Sequence, residues 1–529
     1  MTKLQTISSQ LWTLTNELET NTDTTESKNY ILAFICYRYL SEQQEQYLVS
    51  SSAINVKKDQ AINEAYLEQA GGVELNAYLK DIFSNLGYAI APLDTWQSLV
   101  NKIDKGQVNL SDYQTIFANF DKNAALSKAA GQTFKGIFSN LNLADSYLGS
   151  SDNERVKSLA KIVKLVDSID YQDEAGKDIL GDISTGLISK YAASKKGATF
   201  CTPPAVAKLI AKIVTAHLPK ATQSFTVYDP SCGVGSILSA VANDNNSAIA
   251  KLYGQEANLT AYNLARINLM LHHVLFTNMT LFNNDALEND WPAEPNTKEI
   301  AHPRTFDAVV ANPPYPQSWN NNQNKLTDPR FRNYGKLAPR TKASFAFVLQ
   351  GLYHLNEKGI MAIVLPNEVL FRSAAEATIR KNLVEHPDGN QIDAVIGLPP
   401  NLFYEGIRPM IILVLKKMRT SKDILFIDAS KEFAKGKMKN YLTQENIDKI
   451  FKTYQKRVAM PQYAYLASIE EIRANDYNLN VSQYITTSEN KKIDLTEIDR
   501  LLVQDKKDIA ALEAKIAKDL KVLEIKRDQ

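Results

Sequence analysis

What this 529-residue chain has little of narrows the field first. Its three cysteines, Cys36, Cys201 and Cys232, lie far apart and never in Cys-x-x-Cys spacing, which argues against a disulfide framework or a zinc cluster and fits a reducing compartment. Charge of one sign is also missing: 60 Lys and Arg stand against 59 Asp and Glu. No global basic field would hold nucleic acid unaided, so any such contact must be local or shared with a partner. No apolar run approaches the ~20 residues that span a bilayer. The opening Met1-Thr2-Lys3-Leu4-Gln5 lacks a basic-then-apolar signal pattern. The expectation is a soluble, cytoplasmic protein with no membrane contact. Of six histidines, the only adjacent pair, His272-His273, cannot share a helix face, and none is assigned a metal or triad role.

What is present divides into three parts. Helical periodicity with polar punctuation runs from Leu4, through a dense apolar segment at Ile31, Phe34, Ile35, Tyr37 and Leu40, to about residue 170. This predicts an all-α domain over 1–170 with no cluster of catalytic groups. A mixed α/β region is expected over 171–475. A C-terminal tail is expected over 476–529, irregular around Tyr477 to Tyr484 and then helical from Leu495 to Lys526. That last helix carries Ile498, Leu502, Ile509, Leu512, Ile516, Leu520 and Leu523 interleaved with charge, interrupted by Asp505 and Asp519. The stripe is long for a self-contained surface helix and reads as a docking helix.

The middle region is Rossmann-like. Thr202 is a candidate cap and Pro203 a candidate first residue for a helix from Ala205 to His217. Phe225–Tyr228 then reads as a strand leading into Asp229-Pro230-Ser231-Cys232-Gly233-Val234-Gly235 and a helix beginning near Ile237. Strand, glycine turn and helix form a cradle for a nucleotide-like ligand. The next strand ends at Glu256, where ribose hydroxyls would be held, and Met279–Phe282 ends near Asp285. No phosphate-grasping lysine follows the glycines, and the spacing is not Gly-x-Gly-x-x-Gly, which turns the ligand away from ATP and NAD. An adenosine without phosphates would use Glu256 on its ribose and Asp285 on its amino group, and S-adenosylmethionine is such a ligand.

The fourth strand, Phe306–Ala311, empties into Asn312-Pro313-Pro314-Tyr315. Consecutive prolines fix φ and leave their carbonyls free, so Pro313 can present an acceptor beside the Asn312 side-chain oxygen. Two acceptors and a flat Tyr315 ring suit a planar amine such as adenine N6. By itself the segment is equally an ordinary Pro-rich turn. Between Asp328 and Lys342, five cations (Arg330, Arg332, Lys336, Arg340 and Lys342) alternate with aromatic residues, which is either a solvated face or a DNA-facing loop. Further strands are expected at Ile360–Leu365, Gln391–Leu398 and Met410–Leu415. The last two are joined by a connection too short for a helical crossover and should pair antiparallel.

Taken together, these residues resemble the modification (methyltransferase) subunit of type I restriction-modification systems. The resemblance is carried by Phe200-Cys201-Thr202-Pro203, Asp229 to Gly235, Gly254-Gln255-Glu256, Tyr262-Asn263-Leu264-Ala265-Arg266, Asn312 to Tyr315, Leu398-Pro399-Pro400-Asn401-Leu402-Phe403 and Tyr477-Asn478-Leu479. Cys201 stands where that family usually has an aromatic residue, and Val234 where a small Ser or Thr is common. The resemblance implies that Thr199, Phe200, Cys201, Thr202, Pro203, Pro204, Ser231, Cys232, Gly233 and Glu256 bind S-adenosylmethionine, while Asn312, Pro313, Pro314 and Tyr315 hold a flipped-out adenine of double-stranded DNA. It also implies a separate specificity subunit flanked by two copies of this chain, joined by a restriction (translocase) subunit. Two other readings stay open on the residues: an N-methyltransferase for an RNA base or a protein glutamine amide, and a cofactor-binding assembly scaffold.

Overall fold

The computed structural model describes residues 3–18, 26–124, 131–173, 175–192, 201–218, 224–244, 250–291, 304–404, 406, 408–419, 421–436, 439–485 and 495–522. By internal contacts they fall into two units, Met1–Ile485 and Thr486–Gln529.

In the first unit, helices Lys3–Leu18, Glu26–Ser50, Ile62–Ala70, Leu75–Leu86, Trp96–Asp104, Leu110–Ala124 and Asp152–Ser168 build the N-terminal region. The helix Glu26–Ser50 runs through its middle, with Ile31, Phe34, Ile35, Tyr37 and Leu40 buried. Helix ends follow local chemistry: Ser151 and Glu154 form a reciprocal capping box at the start of Asp152–Ser168. The apolar core continues without a break from these helices into the α/β region.

That region is one nine-stranded sheet. Its strands are β1 (Phe225–Asp229), β2 (Ala250–Gln255), β3 (Met279–Phe282), β4 (Phe306–Ala311), β5 (Leu355–Pro366), β6 (Ile392–Gly397), β7 (Met410–Lys416), β8 (Ile424–Asp428) and β11 (Ala464–Ala467). Two short strands, β9 (Ala434–Lys435) and β10 (Asn440–Tyr441), pair separately. The sheet order is β11-β8-β6-β7-β5-β4-β1-β2-β3. Strands β1 to β5 are parallel. β7 inserts antiparallel between β5 and β6, as the short connection before it predicts. Val309, Val310 and Ala311 of β4 are fully buried, the signature of a strand covered on both faces.

The chain steps outward from β1 through β2 to β3 and then returns to place β4 on the other side of β1. That reversal opens a crevice at the carboxyl ends of β1 and β4, where open α/β sheets hold their ligands. The sheet extends beyond expectation through β8 and β11. Tyr477 to Tyr484, expected to be irregular, ends in the short helix Val481–Tyr484, with Tyr484 stacked on Phe426 of β8 at 4.0 Å between ring centroids.

In the second unit, Leu495–Val522 forms one helix. Leu502, Val503, Ile509, Leu512 and Ile516 on it are all exposed.

Candidate active site

The cradle after β1 is built mostly from backbone. Asp229, 1% exposed, ends the strand and accepts the Ser231 N–H on Oδ1 at 2.9 Å. The Cys232 N–H donates to the Gln255 carbonyl at 2.9 Å, tying the turn to the end of β2. Gly233 and Gly235 take φ of 54° and 76°, the left-handed region where a side chain is strained, and Gly235 opens the helix Ser236–Asn243. The Gly233 N–H donates to Glu256 Oε2 at 3.0 Å, and the Asn258 N–H to Glu256 Oε1 at 2.7 Å. Val234, between the glycines, is fully buried, and its carbonyl accepts from Asn268 Nδ2 at 3.0 Å. A β-branched residue is accommodated because it points into the core.

The cradle carries two buried carboxyls, Asp229 and Glu256. Burial pushes the Asp229 carboxyl up to about 8, with the Glu256 charge adding to the rise against the Ser231 N–H. Burial raises Glu256 as well, opposed by the backbone N–H groups of Asn258 and Gly233, with the Asp285 charge nearby. Ser231 Oγ is buried with no hydrogen-bond partner among the described residues. A carboxylate oxygen has lone pairs beyond the one each Glu256 oxygen already uses. Glu256 acceptors, an unused Ser231 hydroxyl and a glycine turn without a lysine fit a nucleoside with a ribose diol and a cationic tail better than a polyphosphate. Asp285 accepts the Leu287 N–H on Oδ1 at 2.9 Å.

The corner after β4 is positioned across the crevice. Asn312 Nδ2 donates to Thr202 Oγ1 at 3.1 Å. In this arrangement Asn312 Oδ1 takes no part in that bond and can accept. Thr202 does not cap the helix Pro204–Thr215: its N-cap is Pro203, with Pro204 in the first turn and no side-chain cap. One residue too early to reach the helix N–H groups, the hydroxyl serves Asn312 instead. A cavity of about 120 Å³ is lined by Asn312, Pro313 and Tyr315 with Cys201, Phe403, Tyr404, Arg408 and Met410. The Tyr315 hydroxyl accepts from Arg372, itself paired with Glu376 at 3.5 Å. The expected sites therefore form two neighbouring parts joined by Thr202. Thr199 and Phe200 lie outside the described residues.

The basic loop divides. Arg332, Lys336 and Arg340 are exposed and Lys342 is half-buried. Arg330 is not a surface cation: its side chain is 7% exposed, paired with Asp328 at 2.6 Å, and it donates to Gln350 Oε1 at 2.9 Å and the Ala286 carbonyl at 3.0 Å. It holds the loop that carries Asp285, and Phe331 and Tyr334 beside it are buried rather than available to stack on a base. A local signal for this existed in Asp328, two residues away. Arg372 and Arg408 were given no role from the sequence, because they meet Tyr315 from distant segments.

A mainly parallel sheet with a reversed β7, a glycine cradle closed by an acidic residue after β2, and an Asn-Pro-Pro-Tyr corner after β4 together define an S-adenosylmethionine-dependent methyltransferase. Family comparison places it further: residues 175–493 match the N-6 DNA methylase family and residues 7–166 the HsdM N-terminal domain. The chain is 34% identical to the type I restriction enzyme MpnII methylase subunit of Mycoplasma pneumoniae, covering 98% of this chain and 96% of that one. It is 35% identical to the MjaVIII methylase subunit of Methanocaldococcus jannaschii over 66% of this chain and 60% of that one. Among solved structures, the type I restriction-modification methyltransferase subunit from Streptococcus thermophilus aligns at a TM-score of 0.81 and 37% identity, over 92% of this chain and all of that one. The chain belongs to the N-6 DNA methylase family as a type I restriction-modification methylase subunit, an adenine-specific DNA methyltransferase with S-adenosylmethionine as its cofactor. The RNA, protein and scaffold readings have no support in these comparisons. Among the described residues no helix is long and apolar enough to cross a membrane.

Proposed function

We propose that this chain methylates N6 of an adenine flipped out of duplex DNA, with Asn312, Pro313, Pro314 and Tyr315 gripping the base and a separate specificity subunit choosing the sequence. The observation that carries it is the Asn312–Thr202 bond, which commits the amide nitrogen and leaves its oxygen as an acceptor. N6 is a weak nucleophile because its lone pair is delocalised into the ring. Hydrogen bonds from N6–H to Asn312 Oδ1 and the Pro313 carbonyl favour the pyramidal form and strengthen as positive charge develops. Stacking on Tyr315, about 1–3 kcal/mol per base, offsets part of the few kcal/mol that flipping costs. The bound cofactor supplies an electrophilic methyl group on a sulfonium; Asp229, Ser231, Cys232, Gly233, Glu256 and Asp285, together with the candidates Thr199, Phe200, Cys201, Thr202, Pro203 and Pro204, would hold its adenosine and tail. Arg332, Lys336, Arg340 and Lys342 are the candidates for phosphate contact.

Assembly follows from the tail. A helix with an exposed apolar stripe suits docking on the specificity subunit. The expected complex has two copies of this chain per specificity subunit, joined by a restriction subunit for cleavage, in the cytoplasm. Asn312→Ala should retain cofactor binding and lower turnover by about 10²-fold or more. This is checked by tritium transfer to DNA with the co-expressed complex, after mapping N6-methyladenine in host DNA. Full activity in that variant removes the assignment. Deletion beyond residue 490 should abolish co-purification with the specificity subunit while circular dichroism of the remainder is unchanged; retained co-purification places the docking surface elsewhere.

A further inference from the structure

The guanidinium of Arg408 lies over the Tyr315 ring, its Cζ 4.6 Å from the centroid. Arg408 and Tyr315 line the same small cavity as Asn312 and Pro313, so the guanidinium and the ring meet beside the amine-gripping corner. A planar base between the two groups would need them roughly 7–8 Å apart, twice the 3.5–4.0 Å contact of stacked carbon atoms. At 4.6 Å there is no room. Base and guanidinium are mutually exclusive on that face.

The arrangement around the pair suits displacement of one member only. Arg408 Nε is 3.9 Å from the Glu368 carboxylate, which also has Arg372 Nη2 at 4.0 Å. When Arg408 leaves, Glu368 keeps a cation. Tyr315 is held independently, its hydroxyl accepting from Arg372, and Arg372 is anchored in turn by Glu376, which is 2% exposed at its side chain. The ring therefore stays in place while the arginine, 47% exposed at its side chain, is free to swing into solvent.

We propose that Arg408 is a placeholder for the target base: it covers the stacking face of Tyr315 in the resting enzyme, and the incoming adenine must displace it. The proposal rests on the reading of Asn312 to Tyr315 as the base pocket. Arg408 then adds to the cost of base entry, so a site that stacks any planar group is biased against bases that gain nothing from the Asn312 and Pro313 acceptors. A cation–π contact at an exposed position is small, so the barrier is modest and reversible.

The test uses the assembled methyltransferase with its specificity subunit and no cofactor, saturating a duplex in which the mapped target adenine is replaced by 2-fluoroadenine, whose extrahelical population is read as the area of a separate fluorine resonance. Arg408→Ala should increase the flipped population about two- to five-fold, the range expected for loss of one exposed cation–π contact. Arg408→Lys should give a smaller increase in the same direction, because a compact ammonium covers a ring less well than a planar guanidinium. Tyr315→Ala should lower the signal. An unchanged or reduced signal in Arg408→Ala, with Tyr315→Ala still lowering it, overturns the placeholder and leaves the pocket standing. So does weaker DNA binding in Arg408→Ala that Arg408→Lys restores with no gain in flipping, which would make Arg408 a phosphate contact. No loss in Tyr315→Ala overturns the pocket and the placeholder together.

Discussion

Thr202→Val is the sharpest probe of how this site is organised. The substitution keeps the side-chain shape of a residue that is 8% exposed and removes only the oxygen that accepts from Asn312 Nδ2 at 3.1 Å. Without that hydroxyl the amide loses the hydrogen bond that holds it and can turn. The turned amide would present an NH₂ to the substrate amino group, donor against donor. One hydrogen bond of this kind contributes about 0.5–1.5 kcal/mol, which at 1.4 kcal/mol per tenfold is about two- to twelve-fold in rate. Single-turnover methyl transfer by the assembled complex should therefore slow by about that factor. The KM for DNA should change less than two-fold, because the orientation matters most as N6 becomes pyramidal. Thr202→Ser keeps the hydroxyl and should recover most of the rate. The reasoning is refuted if Thr202→Val is as fast as the parent, or if Thr202→Ser is as slow as Thr202→Val. A Thr202→Val that loses cofactor affinity with an unchanged transfer rate would return the residue to the cofactor role that resemblance alone implies.

Two further expectations follow from buried charge. Burial raises Asp229 from 3.8 to about 8 in the folded chain, so between those values the folded state holds a proton that the unfolded state has released. Its contribution to stability is full below about pH 4 and is lost as pH rises toward 8, with a slope of up to about 1.4 kcal/mol per pH unit. Denaturant melts across that window should show the slope in the parent and a flatter profile in Asp229→Asn; equal profiles would remove the buried neutral carboxyl. Arg330→Met should destabilise the fold by about 1–3 kcal/mol, because the buried Gln350 Oε1 and the Ala286 carbonyl lose their donor. Arg332→Ala should leave the melting temperature unchanged while reducing the salt dependence of DNA binding by about one phosphate contact; the reverse pattern would reinstate Arg330 as the surface cation.

Much of the architecture was legible in local pattern. Buried strands announce themselves as short apolar runs between turn residues, and β1, β3 and β4 lie where Phe225, Met279 and Phe306 predict them. Asp229, Gly233 and Glu256 are recognisable because a nucleoside cradle needs them at fixed spacing within about thirty residues of chain. Antiparallel β7 follows from loop length alone. By contrast, Thr202 and Asn312 are 110 residues apart, and periodicity carries no information about which distant side chains meet. The basic loop misled for a related reason: composition shows that Arg330 is a cation beside aromatics, but only packing shows that its partners Asp328 and Gln350 lie inside.

The sequence by itself determined the chemical vocabulary: a glycine turn without a phosphate-binding lysine, an acidic residue after β2, an Asn-Pro-Pro-Tyr corner, and a long charged helix with an apolar stripe. Those are properties of residues at short separation, where covalent geometry and spacing dictate what they can do. The tertiary structure decided which oxygen of the site is free to accept, which cations face inward, and that an arginine covers the ring of Tyr315. Those depend on contacts between segments far apart in the chain, which are fixed only when the sheet brings the ends of β1 and β4 side by side.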